Sequence, residues 1–153
     1  MPAQPFHGTL AIRQAVAADL PVLAELNGQL LADEGHPARL TYEQLLARHR
    51  GWLDSGDWRQ EILELDGRVV GYVAHAPEPE GAAIHVRQFC IDRAWRGVGL
   101  GRAGFALFLR ERVPPGTRVT LDVLESNPVG QAFWQALGFR SFFRRLEIVA
   151  GQD

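Results

Sequence analysis

Three glycines within five residues, in the run Arg96-Gly97-Val98-Gly99-Leu100-Gly101, separate an apolar stretch ending at Ile91 from another that runs on to Arg112. Glycine lets a backbone turn sharply and approach a ligand closely. A helix that starts in such a loop offers N–H groups without intrahelical partners and about half a unit of positive charge. The chain is therefore expected to contain a strand–loop–helix unit whose loop suits a phosphate or pyrophosphate. The same residues also make a tight turn that binds nothing. Two nucleotide fingerprints do not fit. The dinucleotide loop has G-x-G-x-x-G in the first strand–helix unit, with an acidic residue about 20 positions on. Here the spacing is G-x-G-x-G, after the fourth expected strand. A Walker loop ends Gly-Lys-Ser/Thr, whereas this one ends Gly101-Arg102-Ala103.

Around that unit the pattern predicts β-α-α-β-β-β-α-β-α-β. Residues 1–8 read as a lead-in and 9–150 as one domain. Alternation over 9–14 predicts a strand. Asp19 stands as an N-cap with Pro21 at the second helical position, and Leu20, Leu23, Leu26 and Leu30 follow at helical spacing, so a helix is expected over 19–32. Thr41 with Gln44 resembles a capping box and opens a second helix to about Leu53. Strands are expected over 58–65 and 68–75, joined by the hairpin pair Asp66-Gly67, and a third over 82–91. A helix over 98–112, a strand over 118–124, a helix over 128–137 capped by Gly138 and a last strand over 139–149 complete the order. The strand–loop–helix–strand portion implies one parallel pair in a mixed sheet.

The 153 residues carry a formal net charge of -2, which gives no support to a nucleic-acid binder. The single cysteine, Cys90, cannot form an internal disulfide, so a reducing compartment is expected. No apolar stretch approaches the roughly 20 residues of a membrane helix, and the N-terminus shows no signal pattern. The expected location is the cytoplasm, away from membranes. The five histidines show no metal-ligand spacing.

Residues 89–102, Phe-Cys-Ile-Asp-Arg-Ala-Trp-Arg-Gly-Val-Gly-Leu-Gly-Arg, closely resemble motif A of the GNAT acetyltransferase superfamily, with its R/Q-x-x-G-x-G/A core. Leu121-Asp122-Val123, Asn127 and residues 132–139 resemble its motif B. Ile12-Arg13 with Asp19-Leu20, and Gly67 to Val73, resemble earlier family segments, so the likeness spans about residues 9 to 147. The resemblance implies an α/β single-domain GNAT-like fold: a mixed, mostly antiparallel sheet with one splayed parallel pair and helices on both faces. It implies acetyl-CoA, or another acyl-CoA, as co-substrate. Carried over, the backbone of Phe89, Cys90 and Ile91 pairs with the pantetheine amides. The N–H groups of the loop from Arg96 through Gly97, Val98, Gly99, Leu100 and Gly101 to Arg102 hold the pyrophosphate. The Asn127 amide reaches the arm or caps the helix at Pro128, two compatible roles, and Arg102 meets a phosphate oxygen or only solvent.

Transfer to an amine needs a neutral nucleophile and hence a base or a water chain to one. The resemblance makes His85 the first candidate and Asp122 the second, with Glu125 nearby. It offers the Ile91 N–H as donor to the thioester carbonyl. Arg87 shares the face of His85 and would perturb it or bind an acidic substrate group. Trp134 stands where many relatives have a tyrosine acid; an indole cannot deliver a proton at neutral pH, so it packs in the core or lines the thioester end. Trp52, Trp58, His36 and Tyr42 fall where the family walls its acceptor pocket, and Asp33 and Glu34 are solvated or attract a cationic amine. The expected activity is N-acetyl transfer, in a ternary complex, to a primary amine of a small molecule or peptide. The alternative is a non-catalytic acyl-CoA sensor. Little chain remains beyond the last expected strand, and the sheet edge this exposes suits a homodimer.

Overall fold

The computed structural model describes residues 6–152. Five strands form one sheet in the order β1-β2-β3-β4-β5: β1 (Leu10–Gln14), β2 (Arg59–Leu65), β3 (Arg68–Pro77), β4 (Ala83–Ile91) and β5 (Arg118–Leu121). All neighbours are antiparallel except the pair β4–β5. Of the expected lead-in, residues 1–5 lie outside the described residues. The next residue, Phe6, donates its N–H to the carbonyl of Val98 at 3.1 Å, tying it to the glycine loop.

Helices cover both faces. α1 (Leu20–Glu34) and α2 (Tyr42–Ser55) close one, burying Leu20, Leu23 and Leu26 with Ile62, Tyr72 and Cys90. α3 (Leu100–Arg112) closes the other, where Phe105 and Phe108 meet Leu63, Val73, Val86 and Ile91. α4 (Pro128–Ala136) adds Trp134 to that side. Both halves of the expected capping box form at Thr41 and Gln44. Asp66 and Gly67 take φ values of 50° and 80°, the left-handed pair of a two-residue hairpin.

Asp19 stands at the N-cap position of α1, as expected, but its side chain makes no cap bond. Its carboxylate accepts from the Val16 N–H and from both terminal nitrogens of Arg13, each at 2.8 Å, so a 3-10 turn (Ala17–Asp19) precedes the helix. β5 stops at Leu121, three residues short of the expected end. The expected last strand over 139–149 does not form. Phe142 beside Phe143 and Arg144 beside Arg145 give neither face of that stretch a consistent character, and a strand without a partner leaves its backbone unpaired. Its large apolar side chains stand in solvent, with Ile148 91% exposed.

One irregularity shapes the site. Ala74 pairs with Gln88, yet the next residue, His75, pairs with Val86, so Arg87 is the extra residue of a β-bulge in β4. The bulge turns Arg87 and Gln88 to the same side. Arg87 lies on Trp52 and Trp58, and Gln88 accepts from the Tyr72 hydroxyl at 2.8 Å.

Candidate active site

The parallel ladder between β4 and β5 runs from Ala83↔Arg118 to Val86↔Leu121 and ends there, while β4 continues to Ile91 against β3. Beyond Val86, therefore, one edge of β4 has no strand beside it among the described residues. Alternation decides which residues face that edge. The Asp92 N–H donates to Val70 in β3 at 2.8 Å, so Cys90, two residues before it, also turns its backbone toward β3. A Cβ added to Gly71 of β3 would stand 2.3 Å from the Cys90 carbonyl, which places that oxygen on the same edge. Phe89 and Ile91 turn the other way. The Ile91 carbonyl accepts from Arg96 Nε at 2.8 Å instead of from β3.

At the far end of the gap lies the glycine loop. Gly97 and Gly99 have φ of 81° and 87°, and a Cβ at either would meet nothing within 4 Å. The cradle is open, and its glycines serve backbone conformation. Gly99 caps α3 without a side-chain bond, so the first-turn N–H groups of Leu100, Gly101 and Arg102 have no helical acceptor. Gly101 lies inside the helix, where an added Cβ would stand 3.2 Å from the Phe133 ring of α4. Arg96 turns away from the cradle. Its guanidinium binds the Ile91 carbonyl and, at 2.5 Å, Asp33 at the end of α1, where Arg93 also pairs at 2.9 Å. Arg102 is exposed and reaches the Ala136 carbonyl at 3.4 Å.

His85 and Asp122 are brought together, with Nε2 3.8 Å from Oδ2. His85 sits opposite Thr120 in the parallel register, and its Nδ1 is 2.8 Å from the Thr120 hydroxyl. That hydroxyl donates to Glu78 at 2.5 Å. With its hydroxyl hydrogen directed at Glu78, Thr120 can only accept from His85, so the ring carries its hydrogen on Nδ1 and its lone pair on Nε2. Thr120 and Glu78 were not legible as site residues, since only the β4–β5 register puts them beside His85. Glu125 does not join the group; it lies by Ser141 to Arg144.

Asn127 caps α4, accepting from the Gly130 N–H at 3.0 Å. Trp134 packs among Phe89, Phe105, Phe133 and Phe139, with ring centroids 4.8–5.6 Å away. The Cys90 thiol is buried, and burial pushes it up to about 12, so it stays protonated and is no nucleophile. Trp52 and Trp58 gather beside His85, Arg87 and Arg48, whereas Tyr42 is exposed at the start of α2 and His36 accepts from the Ala38 N–H at 3.0 Å. Burial, and secondarily Asp33, raise the Glu34 carboxyl above its usual range. Among the described residues there is no cluster of three metal-ligating side chains, and no helix is long and apolar enough to cross a membrane.

The architecture recurs in solved structures. An acetyltransferase from Thermus thermophilus has a TM-score of 0.72 at 26% identity, covering 86% of this chain and 87% of its own. An aminoglycoside N-acetyltransferase in complex with CoA has 0.71 at 20% identity, covering 97% and 99%. A Clostridium acetobutylicum protein described as a predicted acetyltransferase, solved with acetyl-CoA, has 0.68 at 16%, covering 92% and 96%. No curated protein matches the chain. The family model described as "Acetyltransferase (GNAT) family" matches residues 22–139, from the first turn of α1 to Phe139, which still packs against Trp134. With most of its length matched, this chain belongs to the GNAT acetyltransferase family.

Proposed function

We propose that the protein transfers an acetyl, or another acyl, group from acyl-CoA directly to a primary amine of a small molecule or peptide. The observation that carries this is the parting of β4 and β5 after Val86 and Leu121, with His85 and Asp122 at the apex and the mouth of α3 at the far end. The residues present fit the co-substrate. An open β4 edge suits an arm bearing amides, and free N–H groups at an open cradle suit a diphosphate. Bound there, acyl-CoA supplies a thioester as acyl donor.

The chain's own groups do the rest. The N–H groups from Gly97 to Arg102 hold the diphosphate. Phe89 and Ile91 offer their backbone to the arm; Cys90, engaged with β3, does not. The Ile91 N–H is the donor offered to the thioester carbonyl. The Asn127 amide keeps its NH₂ free while its oxygen caps α4, and Trp134 walls the inner end. His85 Nε2 takes the proton of the incoming ammonium. The amine nitrogen then forms the new C–N bond as the C–S bond breaks; the second proton it sheds on becoming an amide goes to the departing sulfur, and the first leaves His85 for water. Asp122 steadies the imidazolium so formed. With no accessible thiol, transfer runs in a ternary complex. The lone buried thiol also accords with a cytoplasmic setting.

Two measurements test this. Calorimetry with coenzyme A is expected to show binding, and acetyl-CoA consumption with a panel of primary amines is expected to show turnover that His85→Ala lowers about 100-fold. Binding without any turnover would favour the sensor reading, and no binding at millimolar coenzyme A would remove both.

A homodimer is also proposed. Phe142 lies 4.7 Å under Arg118 of β5, so residues 139–149 start beside that strand's open edge. A second copy presents the same edge and the same exposed apolar stretch, and pairing them satisfies both. Light scattering is expected to give twice the chain mass, reduced to one by truncation after Ser141.

A further inference from the structure

The bulge in β4 places a cation at the mouth of the site without giving it an anion. The guanidinium carbon of Arg87 lies 5.1 Å from the ring centre of Trp52 and 5.2 Å from that of Trp58. Arg48 of α2 lies 5.6 Å from the same Trp52 ring. Trp58 in turn meets His85, with ring centres 6.2 Å apart. Neither arginine joins an ion pair among the described residues; the nearest polar partner of Arg48 is the Asn27 carbonyl oxygen at 3.3 Å. Burial, and next the charge of Arg87, lower the Arg48 guanidinium from its ordinary value, while Arg87 itself is exposed at the surface of the same corner.

Such an arrangement is useful to a ligand. The two indoles flank the Arg87 guanidinium, and its N–H donors make no hydrogen bond among the described residues. A carboxylate bound to those donors makes paired, charge-assisted hydrogen bonds and relieves the repulsion between the arginines. His85 and Arg87 are two residues apart on β4 and face the same side, so their Cα atoms are at most roughly 7 Å apart, and both side chains meet Trp58. One amino acid can then offer its amine to the first side chain and its carboxylate to the second.

We propose that the acceptor is an amine that also carries a carboxylate, an amino acid or a close analogue, held by Arg87 with Arg48 behind it so that its amino group meets His85. This rests on the acyl-transfer reading above and narrows its substrate class. Arg87 acts here as a specificity residue and takes no part in proton transfer.

The experiment pairs amino acids with their primary amides, in which only the carboxylate charge is lost, as acceptors in acetyl-CoA consumption. The free acids are expected to show kcat/KM at least 10-fold higher, mostly through KM. Arg87→Gln is expected to erase that preference by raising KM for the acids at least 10-fold more than KM for the amides. A second readout needs no turnover: calorimetry of N-acetyl amino acids and their amides on the protein loaded with coenzyme A. Tighter binding of the acids, lost in Arg87→Gln, supports the site even if no transfer is seen, a result that would count against the transfer reading alone. Equal binding and equal rates for acids and amides, or a preference for amides, would overturn the proposal while leaving acyl transfer standing.

Discussion

The Nδ1 of His85 stands 2.8 Å from the Thr120 hydroxyl, and the two residues face each other across the last parallel pairs of the sheet. Because the Thr120 hydroxyl donates its hydrogen bond to Glu78, the contact selects the tautomer whose lone pair lies on Nε2. Thr120→Val removes the acceptor and leaves the ring free to take the other tautomer. We expect kcat to fall about 10-fold, with KM for acetyl-CoA unchanged. Thr120→Ser is expected to restore kcat. A Thr120→Val enzyme with a wild-type kcat would remove this positioning role.

Two glycines should fail in different ways. Gly99 holds φ of 87° in open space, so Gly99→Val adds backbone strain of about 1–2 kcal/mol without a clash. Relief of that strain pulls the first turn of α3 out of place, and coenzyme A affinity is expected to drop 10-fold or more by calorimetry while circular dichroism stays native. Gly71→Ala drives a methyl to 2.3 Å from the Cys90 carbonyl. That contact is backbone and cannot yield cheaply, so a fall in melting temperature of several degrees is expected.

His49 is fully buried between Asn27 and Gln60, and burial holds its imidazole down to about 4. In the unfolded chain it titrates near 6.5. The native state therefore binds fewer protons between those values, and stability falls as pH drops from about 6.5 toward 4. The loss amounts to about 3 kcal/mol across that window. Urea midpoints at pH 7.5 and 4.5 should differ accordingly, and His49→Gln should flatten the difference.

Asp19 acts lower on the scale. Its hydrogen bonds to Arg13 hold the carboxyl below its usual range despite burial. The stability this supplies is present above about pH 4 and is lost as pH falls through the depressed value. Asp19→Asn should cost stability at pH 7 and make the remaining acid dependence below pH 4 shallower, as read by chemical denaturation.

Cys90 tests direct transfer. Its thiol stays protonated at neutral pH, so Cys90→Ala is expected to keep kcat within about two-fold while costing about 1 kcal/mol of stability. Trapping of radiolabelled acetyl on the wild-type chain, lost in Cys90→Ala, would instead show an acyl-enzyme route.

The sequence alone determined the order of elements as far as α4, the Asp66-Gly67 hairpin and the glycine loop at the head of α3. Those features are local, written in periodicities of two and 3.6 residues and in the conformations only certain residues tolerate. Pairings between distant segments were decided elsewhere. The register that sets His85 against Thr120, the bulge that turns Arg87 and Gln88 to one side, and the alternation that gives the gap Phe89 and Ile91 but not Cys90 exist only once strands lie side by side. The stretch 139–149 marks the same limit from the other direction. Single residues there favour a strand, but the neighbours Phe142-Phe143 and Arg144-Arg145 break the alternation, and among the described residues the stretch pairs with no strand.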